Sequence, residues 1–357
     1  MKVIHVSPTY FEDSSFIGGG ERYTLELARA MSCVTETELI SFSERPGVEK
    51  IEDLTIRLFK PWFYLKGQKI TPFYPPFIKA LKNADIIHCY QYHTLTTSLS
   101  VLYGKLLRKK VFVTDLGGGG WDILSYRGVT GSLIDGFIHI SKYAGDLYSK
   151  YKTKHYVIYG GVDTAKFYPL DIKRERKVLF VGRLLPHKGI DYLINAIDKD
   201  IKLTIIGRPY SSEYFEYLKN LTYGKEVEFI INADDEVLLR EYNTASVFVL
   251  PSVYRMIYGN YTNVPELLGL VVLEAMACKT PVIVTNVASL PELVIDDKTG
   301  FIVKPNEPLA LKEKIYLLMN DPQRLREMGE NAYQLIKERF LWNRVVDNVT
   351  RIYKGLI

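Results

Sequence analysis

Short apolar runs alternate with longer stretches of helical periodicity along most of the chain. Val3 to Val6 is the first such run, and beyond a polar loop Tyr23, Leu25, Leu27, Ala28 and Met31 fall on one helical stripe. Ala84 to His93 reads as a strand whose end turns polar and aromatic. Val111 to Asp115 reads as a buried strand, and Gly136 to Ile140 and Tyr156 to Tyr159 as two more, with Ser141 capping the helix between them. Leu170 to Arg176 is charged and nearly free of apolar side chains, as a linker is. A second alternation follows at once: strands at Val178–Val181, Leu203–Ile206, Val227–Ile231 and Val247–Leu250, and helices at Ile190–Ile197, Glu213–Leu221 and Asp235–Tyr242. Strand and helix at this interval imply βαβ units and parallel sheets. Leu309–Met319 and Pro322–Glu338 are amphipathic helices, and Trp342–Tyr353 is a last one able to cross back to the first half. The expected architecture is α/β, with Rossmann-like domains over residues 1–169 and 170–341, residues 342–357 returning to the first.

Composition adds bounds. A chain of 357 residues suits two domains of roughly 170 residues each. A net charge of +5 suits phosphate-bearing ligands or an anionic membrane surface without calling for nucleic acid. Cys33, Cys89 and Cys278 lie far apart with no CxxC spacing, so neither a zinc site nor a disulfide framework is expected. MKVIHVSPTY turns polar too soon for a signal-peptide core, and no apolar run reaches the roughly 18 residues of a spanning helix. The expectation is a cytoplasmic protein. Residues 58–82 interleave aromatics, prolines and lysines with no acidic side chain. Their aromatics either pack on the domain or form a basic surface for peripheral membrane contact or a hydrophobic acceptor.

The candidate chemistry centres on Pro265 to Val303. Glu266 and Glu274 bracket a Gly-containing turn; Glu274 is read as opening the helical run Ala275-Met276-Ala277-Cys278, which leads into a strand from Pro281 to Thr285. The start of a helix presents unpaired amides that favour a diphosphate, and Glu266 lies too early to act as a cap. Arg183 and Lys188 share one strand-to-helix loop between Gly182 and Gly189. A planar guanidinium and a mobile ammonium suit a diphosphate leaving group, whereas two cations near a helix N-terminus gain nothing from its dipole. In the first half, Ile17-Gly18-Gly19-Gly20 opens a helix, yet the GxGxxG fingerprint is absent, which disfavours dinucleotide binding. Gly117 to Gly120 must bend sharply or let something approach their backbone. His93 and Asp115, at the carboxyl ends of their strands, are candidate cleft residues, while His88 reads as a structural histidine.

VGRLLPHKGIDYLINAI and PELLGLVVLEAMACKTPVIVTNVASLPELVIDDKTGFIV resemble the retaining, nucleotide-sugar-dependent glycosyltransferases of family 4. GGGERYTLELARAM, ISKYAGDL, VIYGGVDTAKFYP and RFLWNRVVDNVTRIY fall where that family has similar phrases. The resemblance implies a GT-B fold, with an N-terminal acceptor-binding and a C-terminal donor-binding domain whose parallel sheets face a central cleft. It implies that Glu274 holds the donor ribose, that Glu266 faces the transferred sugar, and that amides around Gly269, Leu270 and Val271 cradle sugar and phosphate. Arg183 and Lys188 would neutralise the diphosphate, with Gly19 touching it from the other domain. The implied reaction moves a sugar from a UDP or GDP sugar to an acceptor hydroxyl, with retention and with no metal or cofactor. A lipid-linked or membrane-proximal glycan is the expected acceptor. Several positions depart from the family pattern. Its Glu-Gly-Phe-Gly reads Glu266-Leu267-Leu268-Gly269, its Gly-Gly before Pro-Glu is replaced in Ala288-Ser289-Leu290, and a long segment separates Ser252 from Glu266. Its cleft histidine is matched by Tyr90, with His93 a candidate substitute. A sugar-nucleotide epimerase and a non-catalytic nucleotide-sugar binding protein are the alternatives.

Overall fold

The computed structural model describes residues 1–9, 19–117 and 119–355. The chain divides into two compact units, Met1–Gly160 with Trp342–Ile357, and Gly161–Leu341.

The first unit runs β1 (Lys2–Val6), α1 (Gly19–Ser32), β2 (Glu36–Phe42), β3 (Gly47–Ile51), β4 (Leu54–Phe59), β5 (Phe63–Tyr64), β6 (Pro72–Phe73), β7 (Ile86–Tyr90), α2 (Leu95–Leu106), β8 (Lys110–Thr114), α3 (Ile123–Tyr126), β9 (Gly136–His139), α4 (Lys142–Tyr148) and β10 (His155–Val157). Among the described residues its main sheet has the order β10-β9-β8-β7-β1-β2-β4-β3. Its strands pair in parallel except for the antiparallel β3–β4 edge. The central strands are buried along their length because helices cover both faces, which is why they read as continuous apolar runs. The periodicity reading passed over β2 to β4. Ser141 and Thr94 cap α4 and α2, each side chain accepting an amide of the first turn.

Within residues 58–82 three of the seven aromatics, Phe59, Tyr74 and Phe77, pack on the domain core. Phe77 and Leu81 enter the core, and Phe59, Tyr74 and Ile78 lie against it. Trp62 and Phe63, 62% and 51% exposed, stand out on the small β5–β6 ribbon.

The second unit runs β11 (Glu175–Val181), α5 (Ile190–Ala196), β12 (Lys202–Ile206), α6 (Ser212–Leu221), β13 (Val227–Ile230), α7 (Asp235–Thr244), β14 (Ala245–Leu250), α8 (Leu270–Ala277), β15 (Val282–Thr285), β16 (Gly300–Val303), α9 (Pro308–Asn320) and α10 (Pro322–Arg339). Its sheet is parallel, in the order β13-β12-β11-β14-β15-β16. From β11 the chain builds outward to one edge, then returns to β14 and builds to the other. β11 and β14 form the switch point of the strand order, and ligands of such sheets bind outside the carboxyl ends of the strands at that point. Residues 161–169, assigned above to the first domain, belong to this unit. The Val162 amide donates to Phe340 (2.8 Å), Phe167 packs edge-on to Tyr242, and Asn243 Nδ2 donates to the Tyr168 carbonyl (3.0 Å). The charged stretch after them is not a free linker either. Arg174 turns its guanidinium inward to the carbonyls of Ala245, Cys278 and Lys279 and to Thr280 Oγ1.

After α10 the chain re-enters the first unit as α11 (Trp342–Tyr353), the returning helix that the sequence led us to expect. Its apolar stripe packs on α1, with Trp342 edge-on to Tyr23 (5.5 Å). Tyr353 Oη lies 2.6 Å from His88 Nδ1, and His88 Nε2 lies 2.8 Å from Thr114 Oγ1. His5 and His88 stand side by side in the β1–β7 register, and His5 Nδ1 meets Tyr90 Oη at 2.8 Å. Tyr90 is therefore interior, and this corrects its reading as a cleft residue: its side chain lies on the covered face of β7. His88 is structural, as its apolar setting suggests. Among the described residues no helix is long and apolar enough to cross a membrane.

Burial lowers the pKa of His5 from 6.5 to about 3 and that of His139 to about 4, and holds His88 well below the ordinary range. The unfolded chain therefore takes up protons that the folded one refuses. This stabilisation is complete above about pH 6.5 and is lost as the pH falls from there towards about 4 for His139 and about 3 for His5, at up to about 1.4 kcal/mol per pH unit per histidine. The urea midpoint should drop between pH 7 and pH 5, and His139→Gln should make the drop shallower. A midpoint that does not move over this range would contradict the buried, neutral imidazoles.

Candidate active site

At the switch point the loop after β11 and the loop after β14 touch. Gly189 has φ +67°, and a Cβ there would stand 2.0 Å from the carbonyl oxygen of Pro251. Only glycine tolerates both that conformation and that approach. The Val253 amide donates to the His187 carbonyl at 2.8 Å, closing the contact. Lys188 is thereby aimed at Glu266: Nζ lies 2.6 Å from Oε2 and 3.3 Å from the Pro265 carbonyl oxygen. Both side chains are largely withdrawn from water, at 9% and 15% exposure. His187, next to Lys188, is driven down to about pKa 3 by burial first and by the neighbouring charges of Lys188 and Arg183 second, so it adds no third positive charge. Arg183 is exposed, its guanidinium 5.8 Å from the ring centre of Tyr210 in the loop after β12. The loop thus splits its two cations, one held inward by a carboxylate and one presented to solvent.

Gly269 precedes α8 with φ +88°, and the helix begins at Leu270. The amides of Leu270 and Val271 are the ones a helix leaves without intrahelical acceptors, so they form the anion-favouring end. Glu274 does not open the helix, as the sequence reading had it. It lies one turn in, 5% exposed, and its Oε2 accepts a hydrogen bond from Tyr242 Oη at 2.8 Å. The apolar positions from Leu270 onward are helical too, a continuity that a reading started from Glu274 overlooks. Leu267 and Leu268, which replace the family's Gly-Phe, are buried side chains.

The long segment before Glu266 is a β-hairpin. Arg255 bridges antiparallel to Tyr261, the Thr262 amide donates to the Tyr254 carbonyl (2.9 Å), and the Met256 amide donates to the Asn260 carbonyl (2.8 Å). Asn306 Nδ2 ties the Arg255 carbonyl to the loop after β16. Tyr242 and Tyr254 escaped the sequence reading because a tyrosine carries no local mark of which carboxylate or amide it will meet.

In the first unit His93 follows β7, stacked at 4.3 Å on Tyr126, with Nδ1 3.1 Å from Ser125 Oγ. Burial lowers its pKa while Asp115 opposes the shift. Asp115 is buried and ties loops together: Oδ2 accepts the Tyr92 amide (2.7 Å) and Oδ1 the Gly117 amide (2.8 Å). At Gly120, φ +134°, the approaching group is the chain itself, because a Cβ would lie 2.4 Å from the His93 carbonyl oxygen. Gly19 is exposed at the first residue of α1; Ile17 and Gly18 lie outside the described residues. Among the described residues no group of three or more His, Cys, Asp or Glu side chains is placed to hold a metal ion.

Residues 17–166 match the family described as Glycosyltransferase Family 4, and residues 163–335 match Glycosyl transferases group 1. The chain belongs to glycosyltransferase family 4. An uncharacterized glycosyltransferase of Methanocaldococcus jannaschii is 34% identical over 227 residues, 62% of this chain and 60% of the relative. Two further relatives are matched over 45% and 56% of their lengths, so the chain spans about half the length of the curated relatives it matches. Sucrose-phosphate synthase from Thermosynechococcus elongatus superposes with a TM-score of 0.78 at 22% identity, over 99% of this chain and 98% of that one. HepE from Anabaena in complex with UDP gives 0.76 at 16% identity, over 99% and 100%, and the same protein is also described with UDP-glucose. At these identities the likeness is one of fold, the GT-B type of this family.

Tyr242→Phe removes a hydrogen-bond donor from the buried Glu274 carboxylate. It should lower the unfolding free energy by roughly 1–3 kcal/mol in urea titrations. An unchanged midpoint would mean that this hydrogen bond does not hold the carboxylate in place.

Proposed function

We propose that this glycosyltransferase moves a sugar from a nucleoside-diphosphate sugar to an acceptor hydroxyl with retention at the anomeric carbon. The observation that carries the reading is the Lys188–Glu266 contact of 2.6 Å, just ahead of the N-terminus of α8 at the sheet's switch point. A helix start and two carboxylates of different exposure lie within one short run of chain, the loop after β11 brings a cation to the first of those carboxylates, and each suits a different part of such a donor. Glu274 accepts the ribose hydroxyls. Glu266 faces the transferred sugar. The amides of Gly269, Leu270 and Val271, with Lys188 and Arg183, take up charge as the diphosphate departs.

In the reaction the bond from the anomeric carbon to the diphosphate oxygen breaks and a bond to the acceptor oxygen forms on the same face. The acceptor proton passes to the departing phosphate, leaving a nucleoside diphosphate and a glycoside. Arg183 and Lys188 take the place of a divalent ion. The donor is a UDP or GDP sugar, and the UDP and UDP-glucose complexes of HepE favour UDP for a first test. In a thermal-shift panel of UDP, GDP and ADP sugars, one donor should stabilise the protein by about 2.7 kcal/mol at one hundred times its Kd. Arg183→Ala and Glu274→Gln should weaken that shift, and turnover should persist in EDTA. No shift with any donor, or turnover abolished by EDTA and restored by magnesium, would overturn the corresponding part of the proposal.

The acceptor is a lipid-linked or membrane-proximal glycan, met at the cytoplasmic face of a membrane. Support comes from the exposed Trp62 and Phe63 beside Lys66 and Lys69, in residues 58–82, which contain no acidic side chain. The protein should float with vesicles containing anionic lipid, and Trp62→Ser with Phe63→Ser should abolish flotation. Wild-type protein that stays in the soluble fraction would remove this support.

A further inference from the structure

Two departures from the family pattern, the long segment before Glu266 and the sequence Ala288-Ser289-Leu290, meet in space. Ala288 has φ +50°, in the left-handed region that a residue with a Cβ seldom occupies. Its amide donates to Tyr254 Oη at 2.7 Å. The next residue, Ser289, is fully buried, and its Oγ donates to the carbonyl of Glu266 at 3.3 Å. The carboxylate of the same glutamate is held by Lys188. Glu266 is thus gripped at both ends, and the grip on its backbone runs through Ser289 and Ala288 to the hairpin tyrosine.

The hairpin is built to hold that tyrosine. Tyr254 stacks on Tyr261 with ring centres 5.8 Å apart and planes 11° from parallel, and Asn306 anchors the adjacent Arg255 carbonyl. The tip contributes little to the core, since Ile257, Tyr258 and Tyr261 are exposed. Core burial therefore does not account for the hairpin.

We infer that the 253–265 hairpin determines donor-sugar specificity, with Tyr254 as a positioning residue that fixes the backbone of Glu266 through Ala288 and Ser289. The inference rests on the reading of Glu266 as the carboxylate that faces the transferred sugar. A Glu266 fixed at both ends accepts only a sugar whose hydroxyls meet it in place. The nucleotide half of the donor, held at Glu274 and the start of α8, should be indifferent to the hairpin.

The test compares wild type, Tyr254→Phe, Ala288→Gly and the double variant, each titrated with UDP, UDP-glucose, UDP-galactose, UDP-N-acetylglucosamine, GDP, GDP-mannose, ADP and ADP-glucose. Wild type should bind one nucleotide sugar more tightly than its parent nucleotide. Tyr254→Phe should leave the nucleotide Kd within about twofold and weaken that sugar about five- to tenfold, the scale of one lost hydrogen bond. Ala288→Gly in the Tyr254→Phe background should restore most of the loss, because glycine holds the left-handed turn without the tyrosine. Tyr254→Phe that binds the sugar like wild type, or that weakens nucleotide and sugar equally, would overturn the inference. So would a double variant no better than Tyr254→Phe. Wild type that binds no member of the panel would instead sink the transferase reading, and the role of Tyr254 with it.

Discussion

Gly189 lies so close to the loop after β14 that the site of the second unit is set by the space a Cβ would take. Pro251 offers its carbonyl oxygen 2.0 Å from where that atom would be, and the backbone at Gly189 is left-handed as well. Because β11 and β14 are neighbours at the switch point, their loops leave the sheet side by side. Any side chain at 189 would push them apart. With glycine there, His187 reaches Val253, Lys188 points across to Glu266, and α5 starts directly behind. The placement of the charged groups thus follows from a steric permission, and the electrostatics acts within it.

Within that frame the ion pair answers a solvation problem. An ammonium this far withdrawn from water is costly unless it is paired, and removing one member of such a pair costs roughly 3–5 kcal/mol. Glu266 and the Pro265 carbonyl supply the compensation. A diphosphate at the start of α8 would offer Lys188 a second anion without first having to bring the cation in from solvent. Neutral His187 fits the same logic, since a third charge in this loop would need an acceptor of its own. Arg183 remains exposed beside Tyr210, free of that desolvation cost and able to meet charge from the solvent side.

Much of the fold was legible because strand and helix have different periods, and the parallel sheets reproduce the alternation after Val178 almost element by element. What failed has physical causes. Residues 161–169 look like the tail of the first domain, but their docking on Phe340 and Tyr242 depends on contacts remote in sequence. Arg174 sits in a run of charges that reads as solvated, whereas its guanidinium staples carbonyls at the end of α8. Tyr90 takes the place of a histidine in the family pattern, yet the period-two alternation of β7 puts it beside His88 and His5 on a covered face. Arg183 and Lys188 drew notice in the sequence because charges beside loop glycines after a strand are visible locally, and the resemblance to the family pointed to Glu266 and the turn at Gly269. Tyr242 and Tyr254 could not be found in either way, since their meaning lies in partners 32 and 34 residues away.

The burial of Leu267 and Leu268 changes where discrimination between donor sugars has to be sought. These residues are the clearest departure from Glu-Gly-Phe-Gly, and on the sequence alone they are the natural place for it. They are apolar and buried, at 6% and 4% exposure, and offer no hydrogen bond to a sugar hydroxyl. What stays adjustable around Glu266 is its backbone, tied to Ser289, and its carboxylate, tied to Lys188. Ala288 makes the first tie unusual. A left-handed alanine costs on the order of 1–2 kcal/mol relative to glycine, and the Tyr254 hydroxyl that accepts its amide is of the right size to offset much of that.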